Sequence, residues 1–495
     1  MDMSTHAGQS SGVKLQDIAK KSPFVVGTSR LGAVGDTDSL DETSTSSHST
    51  APTPSESVNA LLGKADSGTS GPNERCLDGG LRPWLVVLGC WLALFTSLGF
   101  VNSLGTFRTY LVHTQTTNPT SGAIGGVIFA YAVTSLLLGL YVGPLFDLYG
   151  PRWLLGSGTV CLIIGLLLAS LSMGPIGILT ALGILGSLTS TLLSTPAIAS
   201  VAYVFTANRG LPMGIAATAS SASAVVFPFI QHAIYLHLGW LWAVRILAII
   251  SLVLVVAANF LIRSNRLPPS SLSPHPPSSS SSPVPTPRRD LSNPHPTFRI
   301  FRARGSYLTL IGLCCAQLAS FYPLSHMSAY ALGKGATQTD AFTVAAVVNG
   351  SSVVGRIALG WAADRVGPFN VNIACCLAGA VSCFLVALPA GFTRPGLMLF
   401  GVLFGLVSGG SIGLVPVVVG RLCKTQEFGR YYSAFYTVAS FLAVLGIPLM
   451  EQVSRTGRGD YLGLILVTSF LYLGAAGAFW AVRSAVVGRG LRAVF

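Results

Sequence analysis

The sequence is poor in charge and poorest in acids. Charged residues make up 9% of the 495, whereas soluble domains carry about 25%. Ten of the seventeen acidic residues precede Trp84, and the other seven lie at or near boundaries between apolar runs. So little charge, together with 51% hydrophobic residues and a mean hydropathy of +0.63, is typical of a membrane protein.

Other absences exclude several kinds of chemistry. The nine cysteines include no Cys-x-x-Cys pair and no His/Cys cluster, which argues against a disulfide framework and a zinc site. No paired carboxylates or nucleophile–base pair occur in the polar breaks, so we expect neither an enzyme nor a cofactor. The formal net charge of +13 does not form a basic stripe, because the bases punctuate apolar runs. This pattern predicts membrane topology and no nucleic-acid partner.

From Trp84 the chain alternates long apolar runs with short polar breaks. Each run has about 20 residues, the length a helix needs to cross ~30 Å of hydrocarbon, where only helices satisfy their own backbone. The sequence therefore predicts an all-α integral membrane protein with twelve transmembrane helices. The runs lie near 84–106, 122–145, 154–173, 176–203, 212–236, 240–262, 305–331, 341–361, 370–390, 395–420, 431–450 and 460–482.

Polar segments flank and divide these runs. Residues 1–83 are rich in Ser, Thr, Gly and Pro and predict a disordered tail without a signal peptide. Residues 264–304, which include LPPSSLSPHPPSSSSSPVPTP, predict a flexible linker between six-helix bundles at 84–263 and 305–482. Residues 483–495 form a short C-terminal tail.

The basic residues in the breaks predict the orientation. With the N-terminus inside, the inner breaks and the C-terminal tail hold sixteen Lys and Arg and the outer breaks hold five. Because cytosolic loops carry the excess of bases, both termini are expected in the cytosol. We expect the plasma membrane, with the vacuolar membrane as the alternative.

The two halves share landmarks. GPLFDLYGP (143–151) follows the second run, and GWAADRVGP (360–368) follows the eighth, 217 residues later. Pro196 and Pro416, in the fourth and tenth runs, are 220 residues apart, as are Pro228 and Pro448 in the fifth and eleventh. These landmarks indicate two parallel six-helix repeats, with a transport site expected between them.

The repeated loops are candidate gating devices. A carboxylate at a helix end can pair with a neighbouring base and cap free N–H groups, and such a contact can form in one state and break in another. The alternative is a loop ion pair of little net value. Gly139 and Gly143 also form a Gly-x-x-x-Gly pattern that predicts close helix packing. The gating residues are Gly143, Asp147, Gly150 and Arg152 in the first copy, and Gly360, Asp364, Arg365 and Gly367 in the second.

These motifs resemble a known family. GPLFDLYGPR resembles the signature loop of the major facilitator superfamily. DGGLRPWLVVLGCW (78–91) resembles the monocarboxylate-porter signature, and 207–228 is similar to that family's fourth-to-fifth helix segment. The resemblance covers about residues 75–485 and is closest to fungal monocarboxylate-porter-like members. It implies alternating-access transport of a small organic solute within the bilayer, with no obligate protein partner.

The sequence departs from this family at two positions. Proton-coupled animal members carry a lysine late in the first helix and an aspartate one turn before the eighth-helix arginine. Here those positions hold Asn102 and Ser352, while Arg356 is kept. The departure argues against proton-linked monocarboxylate transport, and the absence of acids well inside the runs agrees with it.

Arg356 is the strongest candidate for solute contact. A guanidinium facing a central cavity can hold a carboxylate or another acceptor. The alternatives are snorkelling to the inner interface and pairing with Asp364. The other candidates are uncharged polar groups, for which interhelical hydrogen bonds are the default alternative. They are Asn102, Gln317, Tyr322, His326, Asn349 and Tyr436.

The sequence thus supports a secondary active transporter with a cavity that favours anionic or acceptor-rich solutes. Two branches remain open, efflux of a natural product and uptake of a monocarboxylate or nutrient. The loss of the Lys and Asp pattern, with helices rich in Gly, Ser, Ala and aromatic residues, favours a larger, less acidic solute and therefore the efflux branch. A nutrient sensor with a transporter body is the alternative of another class.

Overall fold

The computed structural model describes residues 80–102, 121–171, 179–263, 298–302, 304–333, 337–387, 394–456 and 462–487. The first six helices follow the first six apolar runs. They are α1 (Leu81–Asn102), α2 (Ser121–Tyr149), α3 (Pro151–Leu171), α4 (Gly186–Val204, preceded by a π-helical segment Leu179–Leu185), and a 54-residue segment Gly210–Arg263. That segment breaks at Gly239, where φ is 78°, and we call its two parts α5 and α6.

Six further helices make up the second half. They are α7 (Arg304–Gly333), α8 (Gln338–Val366), α9 (Pro368–Ser382, with a π-helical continuation Cys383–Ala387), α10 (Arg394–Gly413), α11 (Phe428–Thr456) and α12 (Leu462–Val487). The short helix Val415–Gly420 continues α10 beyond a turn at Leu414, because Pro416 has no N–H for an unbroken helix.

The all-helical prediction is confirmed for the described residues. Within the described residues, eleven helices are long and apolar enough to cross a membrane. The eleventh run, now α11, falls outside that set, and its described first half carries Arg430 and several tyrosines and serines. Large apolar side chains stand exposed on the outer helix faces, as a bilayer would require; they include Leu137, Ile249, Phe260 and Phe470.

The helices pack within each half and meet across two seams. In the first half α1 packs mainly on the α5–α6 segment and on α4, and in the second α7 packs mainly on α12 and α11. Between the halves, α5 lies along α8, and α2 lies along α11. We call these two contacts the α5–α8 seam and the α2–α11 seam, and both matter for the site.

The predicted tail and most of the predicted linker lie outside the described residues. The end of the linker differs from the flexible segment expected there. Residues Phe298–Arg302 form a 3₁₀ turn, in which Ile300 is buried. The ring of Phe301 lies 5.2 Å from that of Phe435 in α11, centroid to centroid. This short apolar stretch packs because, unlike the Pro/Ser tract before it, it has side chains to bury.

Candidate functional site: the interface between the two halves

Asp147, at the end of α2, caps a helix of the opposite half. Its Oδ1 accepts from the backbone N–H of Gly429 (3.0 Å) and its Oδ2 from that of Arg430 (2.9 Å), both in the first turn of α11. The first N–H groups of a helix have no partner within it, and the positive end of its dipole favours an anion. Asp147 therefore joins the halves by an interaction that needs both helix ends in place.

Asp364, at the end of α8, does the same for α5. Its two carboxylate oxygens accept from the backbone N–H of Gly210 (2.6 Å) and Leu211 (2.8 Å). The two repeated loops thus form a pair of caps related by the internal repeat. We call the end of the bundle where Asp147 and Asp364 lie the capped end, and in this structure it is closed.

Glycines allow the backbones to touch at both seams. A Cβ on Gly143 would collide with the Gly429 carbonyl and with Ser433 of α11. In the other seam, a Cβ on Gly210 would collide with the Gly360 carbonyl, and one on Gly214 with the Arg356 carbonyl. Gly143 and Gly360, both predicted as gating residues, therefore lie where the two halves come closest.

The remaining predicted gating residues shape the loops. Gly150 and Gly367 adopt positive φ, 73° and 95°, in the turns that follow the two aspartates. Arg365 lies over the ring of Trp361, its Cζ 3.9 Å from the centroid, and Arg152 is half-buried at the start of α3. The prediction gave each aspartate a neighbouring base as partner and free helix N–H groups to cap. The structure shows the capping, and the N–H groups belong to the opposite half.

A third contact closes the capped end. Arg209, just before α5, donates from Nη2 to the hydroxyl of Thr425 (2.7 Å) in the loop between α10 and α11. The Tyr203 hydroxyl, at the end of α4, donates to the Gln426 carbonyl at 3.0 Å and lies 3.3 Å from Oδ1 of Asp147. Burial raises the pKa of the Cys423 thiol in this loop, so its reactive thiolate is scarce while the end is closed.

Arg356 lies in the α5–α8 seam, eight residues before Asp364, or about 12 Å along the helix axis. It is buried, with 6% of its surface exposed. Its Nη1 donates to the carbonyl of Ala217 and to the hydroxyl of Ser220, both in α5. Both oxygens of the Asp364 carboxylate accept from the start of α5, whereas Arg356 donates to α5 oxygens two to three turns further along.

The surroundings of Arg356 come from three helices. Its stem passes α10 at Gly413, where a Cβ would lie 3.2 Å from Cγ. Tyr436 in α11 lies close enough to the guanidinium for the two side chains to interact electrostatically. One turn away, Ser352 accepts from the hydroxyl of Ser221 at 3.1 Å, so the position where relatives hold an acid carries a neutral bond across the seam.

Aromatic side chains lie on the helices around this seam. In the first half, the Trp91 indole N–H donates to Thr218 (3.0 Å), and its ring stacks on Phe95, which meets Phe227 edge to face. In the second half, Tyr432 and Tyr436 stack with 5.5 Å between centroids. Flat apolar faces beside a cation suit a conjugated organic anion.

The other predicted solute residues fall into three groups. Asn349 donates from Nδ2 to the Ala345 carbonyl of its own helix (2.9 Å), so its amide is partly occupied. Gln317 is buried, and its amide has no hydrogen-bond partner among the described residues. Tyr322 is buried beside Pro323 inside α7. The backbones of Asn102 and His326 belong to α1 and α7, but their side chains lie outside the described part.

Sequence reasoning missed the partners in the opposite half. Ala217, Ser220, Gly210 and Gly429 carry no signal of their own, because three of them act through backbone atoms and all are common in membrane helices.

Known proteins show similarity along most of the chain. Residues 90–447 match the model of the Major Facilitator Superfamily. A transporter of this type from Ophiocordyceps sp. is 30% identical over 414 residues, which cover 84% of this chain and 88% of that protein. The aspyridones efflux protein of Emericella nidulans is 29% identical, over 83% of this chain and 80% of its own.

Solved structures share the fold. A variant of the E. coli fucose:proton symporter FucP superposes with a TM-score of 0.62 at 16% identity, covering 80% of this chain and 98% of its own. At that identity the likeness concerns the fold alone. The family match, the helices and the repeated loops together show that this multi-pass membrane protein belongs to the Major Facilitator Superfamily and is a transmembrane transporter.

Proposed function

We propose that the protein exports an organic anion, a natural product of secondary metabolism, by alternating access. The observation that carries the proposal is Arg356, a buried guanidinium held by neutral acceptors at the seam between the halves. A cation in this position selects a solute that supplies negative charge. Relatives named as efflux proteins for aspyridones, fujikurins and agnestins support the direction of transport and the class of solute.

The proposed roles are of two kinds, contact with the solute around Arg356 and control of access at the capped end. Arg356 contacts the acidic group of the solute, and Tyr436 contributes an aromatic face and a hydroxyl beside it. Asn102, Gln317, Tyr322, His326 and Asn349 are proposed as further cavity residues. Asp147 and Asp364, with the glycines and arginines of their loops, control access from the capped end. No catalysis is proposed for any of these residues.

We also propose the branch of the superfamily, the membrane and the orientation of the protein. The motifs at 78–91 and 207–228 support the monocarboxylate-porter branch of the superfamily, with a solute other than a proton-coupled small monocarboxylate. The excess of bases in the inner breaks supports a capped end and both termini in the cytosol, in the plasma membrane. No obligate protein partner is proposed.

The test measures transport in a host with few transporters of its own. Inside-out vesicles carrying the protein receive a panel of labelled aromatic acids and the matching neutral amides, with and without a proton uncoupler. We expect accumulation of acids, and a loss of at least about tenfold in Arg356→Ala, because one buried charge-assisted contact is worth ~1.5–3 kcal/mol.

The matched control is Arg245→Ala. Arg245 is an arginine near the start of α6, beyond the break at Gly239, and its Cζ lies 5.6 Å from the ring of Trp242. Its loss should leave transport near the wild-type rate. Full transport by Arg356→Ala would remove the site assignment, and inward movement of acids into intact cells would favour the uptake alternative. An absence of movement in either direction would favour a sensor.

A further inference from the structure

We infer that Arg356 exchanges partners during transport: α5 holds it while the capped end is closed, and the acidic group of the solute holds it while that end is open. The inference rests on the proposed function and deepens it. It makes Arg356 a solute ligand whose affinity depends on the position of the opposite half, and it restricts the solutes that drive opening to anions.

The contacts of Arg356 are those of an exchangeable ligand. Its Nη1 donates to two neutral oxygens, the Ala217 carbonyl and the Ser220 hydroxyl. Its Nε has no hydrogen-bond partner among the described residues. A guanidinium bonds more strongly to an ionised acceptor than to a neutral one, so a carboxylate can replace both α5 oxygens. Two acceptor atoms on one anion match the two that it displaces.

Opening of the capped end must break this contact. Ala217 and Ser220 lie two to three turns beyond Gly210, whose N–H is capped by Asp364 and whose backbone touches Gly360. Since α5 moves as a helix, separation at Gly210 also draws Ala217 and Ser220 away from α8. The guanidinium then loses both of its α5 acceptors and faces the opened cavity, where the carboxylate of a solute can replace them.

Closure reverses the exchange. The α5 oxygens return to Nη1 and compete with the bound anion, so the closed state binds it more weakly and releases it towards the other end. By linkage, an anion that prefers the open state must also shift the equilibrium towards opening. Such couplings commonly amount to about 5-fold or more.

The internal repeat supplies a comparison within the chain. Eight residues before Asp147, in the place that Arg356 has before Asp364, stands Gly139, which packs against Thr437 of α11. At the position of Arg356 the α2–α11 seam thus has a glycine in place of a cation, and its arginine, Arg430, lies instead at the capped end beside Asp147. The exchange belongs to the α5–α8 seam because the charge is there.

The experiment follows opening through Cys423. The full-length protein in nanodiscs is treated with N-ethylmaleimide, and alkylation of Cys423 is measured by peptide mass spectrometry. Cys376, fully buried in α9, controls for unfolding. The probe is 1-naphthoate at saturation, and 1-naphthamide is its neutral control. We expect the acid to accelerate alkylation about 5-fold or more, and the amide to leave it unchanged.

Two adjacent serines separate the exchange from general loosening. Ser220→Ala removes an oxygen that competes for Arg356, so naphthoate should accelerate alkylation by less than half the wild-type factor. Ser221→Ala removes the bond to Ser352 in the same seam but leaves Arg356 untouched. It can raise basal alkylation, but the factor contributed by naphthoate should stay at the wild-type value. Arg356→Gln should abolish the response.

The outcomes are distinct. Equal acceleration factors in Ser220→Ala and Ser221→Ala, or acceleration by the amide equal to that by the acid, would overturn the exchange. If labelled naphthoate is transported in an Arg356-dependent way but alkylation of Cys423 never changes, the proposed function stands and the exchange of partners is contradicted. A response of Cys423 without any transport of naphthoate would instead contradict the proposed function.

Discussion

The α2–α11 and α5–α8 seams are built alike. In each, an aspartate after a helix of one half accepts two backbone N–H groups from the start of a helix in the other, and a glycine four residues earlier allows backbone contact. Eight residues before the aspartate the seams differ: α2 has Gly139 and α8 has Arg356. The aspartate caps and the close glycines, which both seams share, serve closure. Arg356, which only the α5–α8 seam has, is the better candidate for recognising a solute.

A second difference lies at the surface of the capped end. The loop between α10 and α11 receives Arg209 at Thr425 and Tyr203 at the Gln426 carbonyl. These side-chain bonds reinforce the α2–α11 side, where the Tyr203 hydroxyl also reaches Asp147. The seam without the buried cation is thus the one with more polar contacts at its end. This fits a hinge on one side and a solute-sensitive contact on the other.

The largest expected effect tests what the seams share. Gly143→Leu and Gly360→Leu should each reduce transport to below about a tenth of wild type, because a side chain there meets the backbone of the opposite half. Labelled acid uptake into inside-out vesicles, normalised to protein in the membrane, measures the loss. Gly474→Leu is the control, since a Cβ on Gly474 of α12 meets no atom within 4 Å. If only one of the two leucine variants lost transport, the two seams would not be equivalent in closure.

A smaller effect is expected from the caps. Asp147→Asn and Asp364→Asn should each speed alkylation of Cys423 by about 5-fold, since loss of a helix cap costs ~1 kcal/mol. Each asparagine keeps one oxygen but loses the charge that favours the helix N-terminus. Similar factors would sharpen the comparison. If one variant behaves like wild type, its loop is only a structural turn, and the two copies of the loop differ in function.

The smallest effect concerns the contact between Arg209 and Thr425. Arg209→Ala and Thr425→Val should each speed alkylation of Cys423 by about 2- to 5-fold, in line with ~0.5–1 kcal/mol for one partly exposed bond. The double variant should equal the single ones, because both remove the same interaction. Additive effects would show that Arg209 acts through its other bonds, such as that from Nε to the Phe205 carbonyl.

Much of the fold was predictable because a bilayer imposes a simple rule on length and polarity. The twelve apolar runs correspond to α1–α12, and the two repeated loops lie at matching places, after α2 and after α8. The site was predicted less completely. Arg356 and Tyr436 lie close to each other, whereas Asn349 bonds to its own helix, and solute contact stays a prediction for all three. A polar residue within a membrane helix must find a hydrogen-bond partner, but the amino-acid sequence does not indicate which residue that partner is.

The sequence by itself determined the membrane-spanning helices, the repeat and the scarcity of acids that makes Arg356 conspicuous. Each follows from local composition, since hydrocarbon excludes charge and unpaired backbone groups. Only the tertiary structure decided that Asp147 and Asp364 cap helices of the opposite half and that Arg356 is held by Ala217 and Ser220. Those contacts join residues more than 130 positions apart, and their donors and acceptors are largely backbone atoms that every residue carries.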